Sequence, residues 1–313
     1  MITVLYLPIG SQPGTADAFK QAGVQLHVFD FLAAGDRANA EFLRLVEKYQ
    51  PDLVHMQLQM TRAITPDTIT QARRICPKAI FTNWSGDIRK QACNYFVSIS
   101  KVVDYSLLSS VGQIALYNNA GAKNPMYWQI GYDPKLYFPK RQSEFKYDVS
   151  FIANAHASNL FPDAALRRKI VQRLHKEFGI RAGLFGSGHG HGIGSVDIRK
   201  VNDIYCDSIC VLSVSNFNNV PHYFSDRLLM CIASGRPTIA YRFPGLDSYF
   251  AENGDILVAR SEDDIVSLVN KCKNNLTFAN AVGHNGWLKA NAEHTFKSRI
   301  LELLSLTNLA GKL

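Results

Sequence analysis

The sequence predicts an α/β chain of two doubly wound, Rossmann-like domains facing across a cleft. Short apolar runs rich in Val, Ile, Leu and Phe alternate with segments of helical period, the rhythm of βαβ units around parallel sheets buried on both faces. That rhythm breaks once, at a charged stretch with two prolines. The length of 313 residues allows about two domains at ~150 residues each.

The elements follow in order. Ile2 to Leu7 reads as a first strand, Gly10 to Gly14 as a turn, Thr15 to Ala22 as a helix stopped by Gly23, and Val24 to Phe31 as a second strand. A helix with Phe42, Leu43, Leu45, Val46 and Tyr49 on one face leads past Pro51 to a strand over Leu53 to Leu58. Thr65-Pro66-Asp67 supplies an N-cap, a proline at the first helical position and an early acid, so a helix starts there. Ala79 to Trp84, Val103 to Leu108 and Met126 to Ile130 complete the first set of strands.

Residues 1–134 then form the first domain, 135–146 a surface linker, and 147–313 the second domain. Its strands are expected at Asp148 to Ala153, Ile180 to Phe185, Ile209 to Val214, Thr238 to Tyr241 and Asp255 to Val258. A helix from Asp163 to Phe178 ends at Gly179, another starts at Ser261, and Thr295 to Leu306 is a last amphipathic helix.

Composition sets the class. Hydrophobic residues make up 47% and charged residues 19%, which excludes a disordered chain. With 34 Lys and Arg against 26 Asp and Glu, the net charge of +8 favours anionic partners such as nucleotides, nucleic acid or membrane headgroups. Cys76, Cys93, Cys206, Cys210, Cys231 and Cys272 form no C-x-x-C pair and read as reduced, buried thiols. The N-terminus has no basic region before its apolar run, and no run reaches the ~20 residues of a membrane span. A cytoplasmic protein is expected.

Four segments can carry chemistry. Pro8-Ile9-Gly10-Ser11-Gln12-Pro13-Gly14 lacks G-x-G-x-x-G, which disfavours a dinucleotide enzyme, yet Gly10 permits close backbone approach to a ligand. The loop Gly186-Ser187-Gly188-His189-Gly190-His191-Gly192-Ile193-Gly194 has five glycines in nine residues, and its amides can wrap an anionic or polyhydroxylated ligand. His189 and His191 have no acid or thiol at ligand spacing, so no metal site is expected.

The third segment, Ser225-Asp226-Arg227-Leu228 through Ser234-Gly235-Arg236-Pro237, reads as a capped helix followed at once by a strand. Its N-terminus, with Arg227 in the first turn, offers amides, a positive dipole end and a fork for phosphate. The fourth is Asn83-Trp84-Ser85-Gly86-Asp87-Ile88-Arg89-Lys90, at the carboxyl end of a strand, where Asp87 either accepts a proton or caps the next helix. His55, inside an apolar strand, reads as a core histidine, and His222 and Tyr223 as weaker ligand contacts. Arg167, Arg168, Lys169, Arg173 and Lys176 read as a solvated basic face.

Tyr147-Asp148-Val149-Ser150-Phe151-Ile152-Ala153-Asn154, the S-D-R-L-x-x-x-x-A-S-G-x-P segment and Gly131-Tyr132-Asp133-Pro134 together resemble GT-B glycosyltransferases, most nearly the spore-maturation-protein-like or glycosyltransferase family 1-like branch. The resemblance runs from about Tyr147 to Phe296. It implies metal-independent transfer of a sugar, with no cofactor beyond a UDP- or GDP-sugar donor held by the second domain. It also implies an acceptor held by the first domain, and a last helix crossing back to it.

Arg227 and the amides after Ser225 then hold the diphosphate, while Gly186, Ser187, Gly188 and His189 approach nucleotide or sugar. Many relatives carry a ribose-binding glutamate where Met230 stands, and Asp226 is the substitute at hand. Gly10, Ser11 and Trp84 lie on the acceptor side, and Asp87 is the catalytic candidate. The acceptor is a saccharide hydroxyl or, given the basic surface, a modified base in DNA. A non-catalytic nucleotide- or sugar-binding protein is the reading from another class.

Overall fold

The computed structural model describes residues 1–10, 12–59, 63–156, 161–188 and 193–312. The chain divides into two compact units, the first built from Met1–Gly131 and Phe296–Leu313, the second from Tyr132–Thr295.

Unit 1 runs β1 (Thr3–Leu7), α1 (Pro13–Gln21), β2 (Gln25–Val28), α2 (Phe31–Ala34), α3 (Ala38–Tyr49), β3 (Leu53–Met56), α4 (Pro66–Ile75), β4 (Ile80–Ser85), α5 (Asn94–Ser100), β5 (Tyr105–Leu108), α6 (Ile114–Asn119) and β6 (Pro125–Tyr127). Its six strands form one parallel sheet in the order β2-β1-β3-β4-β5-β6. α4 begins as its residues dictate, with Pro66 in the first turn and the Thr65 hydroxyl accepting from the Thr68 amide at 3.2 Å.

The second strand is shorter than expected. The Asp30 carboxylate accepts from the amides of Leu32 and Ala33 at 3.1 and 3.0 Å, so Phe31 opens a helix turn and does not extend β2.

His55, in β3, is fully buried, with Nδ1 2.8 Å from the Thr82 hydroxyl, Nε2 without a partner, and the rings of Tyr6, Phe19 and Trp128 around it. Burial pushes its pKa from 6.5 down to about 3. The unfolded chain therefore binds a proton that the folded chain refuses. Stability is full above pH ~6.5 and declines below it, by about 2 kcal/mol at pH ~5 for this residue. Urea midpoints at pH ~7.5 and ~5 should show that loss, and His55→Leu should flatten it. An unchanged slope in the variant would assign the acid sensitivity elsewhere.

Unit 2 contains β7 (Tyr147–Ile152), α7 (Ala164–Phe178), β8 (Ala182–Phe185), α8 (Ile198–Cys206), β9 (Ser208–Ser213), α9 (Asp226–Ala233), β10 (Thr238–Tyr241), β11 (Leu257–Ala259), α10 (Glu262–Asn274) and α11 (Leu276–Glu293). Its parallel sheet has the order β11-β10-β9-β7-β8. β8 starts two residues later than expected because a 3-10 turn over Gly179–Arg181 leaves Ile180 93% exposed. Cys206 and Cys210 are both buried but belong to different elements, α8 and β9.

The expected linker, 135–146, lies mostly on the surface and belongs to unit 2, to which it is anchored at a few points. Tyr137 is buried, the Asn202 amide group donates to the Phe138 carbonyl at 3.0 Å, and Pro139 packs on Gly235. The chain then returns as α12 (Phe296–Leu306), which belongs to unit 1. Ile300, Leu303 and Leu304 there join Ile2, Val4, Tyr6 and Phe19 in one core cluster, and the Trp128 indole donates to the Arg299 carbonyl at 3.1 Å.

Candidate functional site

In unit 2, β7 lies between β8 and β9, so the crossovers leave it in opposite directions. A parallel sheet opens a ligand crevice at the carboxyl ends of the two strands where this reversal occurs. The segments there are Ala153–His156 after β7 and Val214–Asn218 after β9.

α7 feeds Arg167 into this place. The side chain is only 2% exposed, Nη1 donates to Asn216 Oδ1, and Phe151 of β7 lies with its ring centroid 5.6 Å from the guanidinium. Asp163, just before α7, accepts from the Asn218 amide at 2.6 Å and from its side chain at 3.0 Å, which fixes the loop that holds Asn216. Nε and Nη2 of Arg167 are buried without a partner. Burial first, and the charge of Arg227 second, push its pKa from 12.5 down to about 9.

The first turn of α9 brings Arg227, whose Nε is also buried and unpartnered. Neither guanidinium has a carboxylate partner among the described residues. Two arginines that feel each other, partly desolvated and unpaired, form a strong receptor for a multiply charged anion.

Arg167, expected on a solvated basic face, is instead buried. The signal was present, because Arg167, Ile170, Val171 and Leu174 share the i, i+3, i+4, i+7 stripe of α7. An arginine on an apolar stripe is buried for a reason other than solubility.

The glycine-rich loop packs where it was expected to matter. Gly186 has φ +122°, and a Cβ there would lie 2.0 Å from the Ala153 carbonyl oxygen. The Ser187 amide donates to Asn154 Oδ1 at 3.0 Å, the Ala155 amide to the Ser187 carbonyl at 2.8 Å, and Gly188 stands over Ala155. Gly186, Ser187 and Gly188 thus line the end of β7. His189 lies outside the described residues, as does Ser11.

The α9 terminus differs from expectation. Ser225 occupies the N-cap position, but its hydroxyl makes no cap bond. The Asp226 carboxylate instead accepts from the Arg227 amide at 2.8 Å, and the Leu228 amide bonds the Ser225 carbonyl. The helix therefore offers fewer free amides than a phosphate seat needs, and an acid sits among them. The positive charge here resides in the two guanidinium side chains more than in the helix terminus. His222 precedes this helix at φ +55°, with Nδ1 2.9 Å from the Tyr249 hydroxyl.

In unit 1 the reversal falls between β1 and β3. There Gln57 donates to the Tyr6 hydroxyl at 2.8 Å and to Gln12 at 3.1 Å, and accepts from the Ile9 amide at 3.0 Å. Gly10, at φ +70°, follows in the exposed turn. Asp87 stands on the segment after β4 with a 71% exposed side chain, its nearest ion-pair partner being Arg89 at 3.6 Å. It caps no helix, since α5 starts at Asn94.

Trp84 is not a surface acceptor contact. It is 5% exposed, packs edge-on against Trp128, and donates to the Trp128 carbonyl at 3.1 Å. Its role is to support Gly86, whose Cβ would meet the indole at 2.9 Å.

No group of three or more His, Cys, Asp or Glu fit to hold a metal comes together among the described residues. No helix among them is long and apolar enough to cross a membrane.

Against known proteins, a family model described as glycosyl transferase-like matches residues 167–305, the stretch that begins at Arg167 and contains Arg227. Solved structures match along nearly the whole chain. HepE of Anabaena, solved with UDP and glucose, has a TM-score of 0.65 at 13% identity, covering 98% of this chain and 100% of that one. Sucrose-phosphate synthase of Thermosynechococcus elongatus gives 0.62 at 12% with both chains fully covered, and a glycosyltransferase of Rickettsia africae gives 0.65 at 13% with 99% of each. The fold is GT-B. No curated protein matches by sequence. In GT-B terms, unit 1 is the N-terminal Rossmann-like domain with α12 added to it, and unit 2 is the C-terminal one.

Proposed function

We propose that this protein is a glycosyltransferase that moves a sugar from a nucleoside diphosphate sugar, a UDP-sugar first among them, to a hydroxyl of a saccharide acceptor without a metal ion. The observation that carries the reading is the pair Arg167, buried, and Arg227, half-buried with its Nε enclosed, neither of which meets a carboxylate among the described residues, at the carboxyl end of the second sheet. As the bond from the sugar to the diphosphate breaks, negative charge grows on the departing diphosphate. Guanidinium groups already partly desolvated and in place stabilise that charge with little reorganisation, which is the task a metal performs elsewhere. The glycosyl transferase-like match over residues 167–305 and the UDP complexes of HepE support this donor.

Gly186, Ser187 and Gly188 approach the nucleotide or sugar, Ser225 and Asp226 border the diphosphate, and the Asp226 carboxylate is the acceptor for a donor hydroxyl. On the acceptor side, in unit 1 with Gly10, the exposed Asp87 carboxylate takes the proton of the attacking hydroxyl in an inverting reaction or orients it in a retaining one.

The test is a melting panel with UDP, GDP, ADP and CDP, run beside reactions followed for free nucleoside diphosphate. A nucleotide at ~100 times its Kd adds about 2.7 kcal/mol to stability. UDP is expected to give that shift, and Asp87→Asn to keep it while lowering kcat ~10²-fold. No shift with any nucleotide would sink the reading. An unchanged kcat would remove Asp87 alone.

A further inference from the structure

Unit 1 carries a second cluster of positive charge that the transfer reaction does not use. Thr70, Arg73 and Arg74 at the end of α4, Lys101, Val102 and Val103 after α5, and Lys123 before β6 line one hollow of about 340 Å³. They meet because β4, β5 and β6 are neighbours and the segments that enter these strands lie side by side.

The hollow is held by bonds that leave its other cations unmatched. Arg73 forks onto Asp104 at 2.7 and 2.9 Å, and the same carboxylate accepts from the Phe81 amide at 2.8 Å. The Lys123 amide donates to the Ser100 hydroxyl at 3.1 Å, which ties the segment before β6 to the end of α5. Val103, 2% exposed, gives a rigid floor. The one nearby carboxylate is thus fully engaged, and Arg74, Lys101 and Lys123 have no ion-pair partner among the described residues. Three cations without ion-pair partners gathered around one concavity repel one another, a repulsion that the carboxyl ends of α4 and α5 offset in part and an anion of several charges relieves further.

We propose that this hollow is a binding site for a phosphate group of at least two charges, separate from the site at Arg167 and independent of the donor reading. A compact dianion suits point-charge lysines and one free guanidinium, which need no particular ring or base to recognise. The phosphate is either free in solution or the head of an anionic lipid.

The test measures pyrophosphate binding by calorimetry in Arg167→Met protein, so that the other anion site does not contribute, and again after adding R74Q, K101Q and K123Q. The expected result is binding that weakens steeply with salt between ~50 and ~500 mM and falls at least tenfold in the combined variant. In parallel, the full chain is sedimented with vesicles of phosphatidylcholine alone or with phosphatidic acid. Sedimentation with the acidic vesicles only, lost in R74Q/K101Q/K123Q, assigns the site to a lipid head, whereas pyrophosphate binding without sedimentation assigns it to a free phosphate. The proposal is overturned if neither probe binds, or if either binds R74Q/K101Q/K123Q as tightly as its parent. The three changed side chains are exposed, so the variant should melt with its parent.

Discussion

Arg167→Met is expected to abolish the stabilisation by UDP while making the unliganded protein melt higher. A buried guanidinium with two unpartnered nitrogens is held at a cost, seen in the fall of its pKa to about 9. An apolar side chain of similar length removes that desolvation, the same cost whose removal gains about 1–4 kcal/mol when a whole buried ion pair is replaced by apolar residues. The hydrogen bond to Asn216 is lost in exchange, so a net gain of about 1 kcal/mol is expected, or roughly 2–4 °C. Donor binding responds the other way. Removing charge-assisted bonds to the diphosphate costs about 3 kcal/mol, some 10²-fold in kcat/KM. Thermal scans of wild type, Arg167→Met and Arg167→Lys with and without UDP read both effects at once. Lysine, which keeps charge but not the fork, should fall between. If Arg167→Met retains the full UDP shift, the donor does not use this residue.

Gly186→Ala is expected to have the largest effect of any single methyl group added near the site. Its φ of +122° is strained for an L side chain, and the Ala153 carbonyl oxygen stands 2.0 Å from the new Cβ. Either problem alone costs about 1–3 kcal/mol, and here the backbone must move to resolve the second. Movement would break the Ser187 and Ala155 bonds that hold the loop on the end of β7, so UDP affinity should fall with stability. Gly121→Ala is the control. It has φ +84° but open space around the new Cβ, and should cost only about 1 kcal/mol and leave UDP binding intact. Equal losses in the two variants would show that strain alone matters at Gly186.

The parts of this fold legible in the sequence are those whose signals are local. Thr65 and Ser261 start helices because their hydroxyls reach amides three residues on, and Gly235 follows the end of α9 because its φ of +72° favours glycine. α11 was not legible because it lacks an apolar stripe. Its Gly283 and Gly286 lie against the backbone of Gly235 and Asp255, where a Cβ would come within 2.4 and 2.3 Å, so the helix packs by having no side chains there.

The site shows the same division. Arg227 and the glycine loop were legible because helix starts and glycine runs mark loops above a sheet. Arg167 was missed because a row of cations reads as surface until its register against Ile170 and Val171 is considered. The Asp226 carboxylate on the Arg227 amide could not be read at all, since it depends on a rotamer.

The return of α12 to unit 1 has a consequence for synthesis. The face of the first sheet that carries Val4 and Tyr6, with Phe19 of α1 beside it, receives Ile300, Leu303 and Leu304 only after all of unit 2 has been made. At ~5–20 residues per second that is a delay on the order of ten seconds. During that interval the nascent first unit presents an unfinished apolar surface to the ribosome and its chaperones, and unit 2, continuous in sequence, is free to fold before the unit that precedes it.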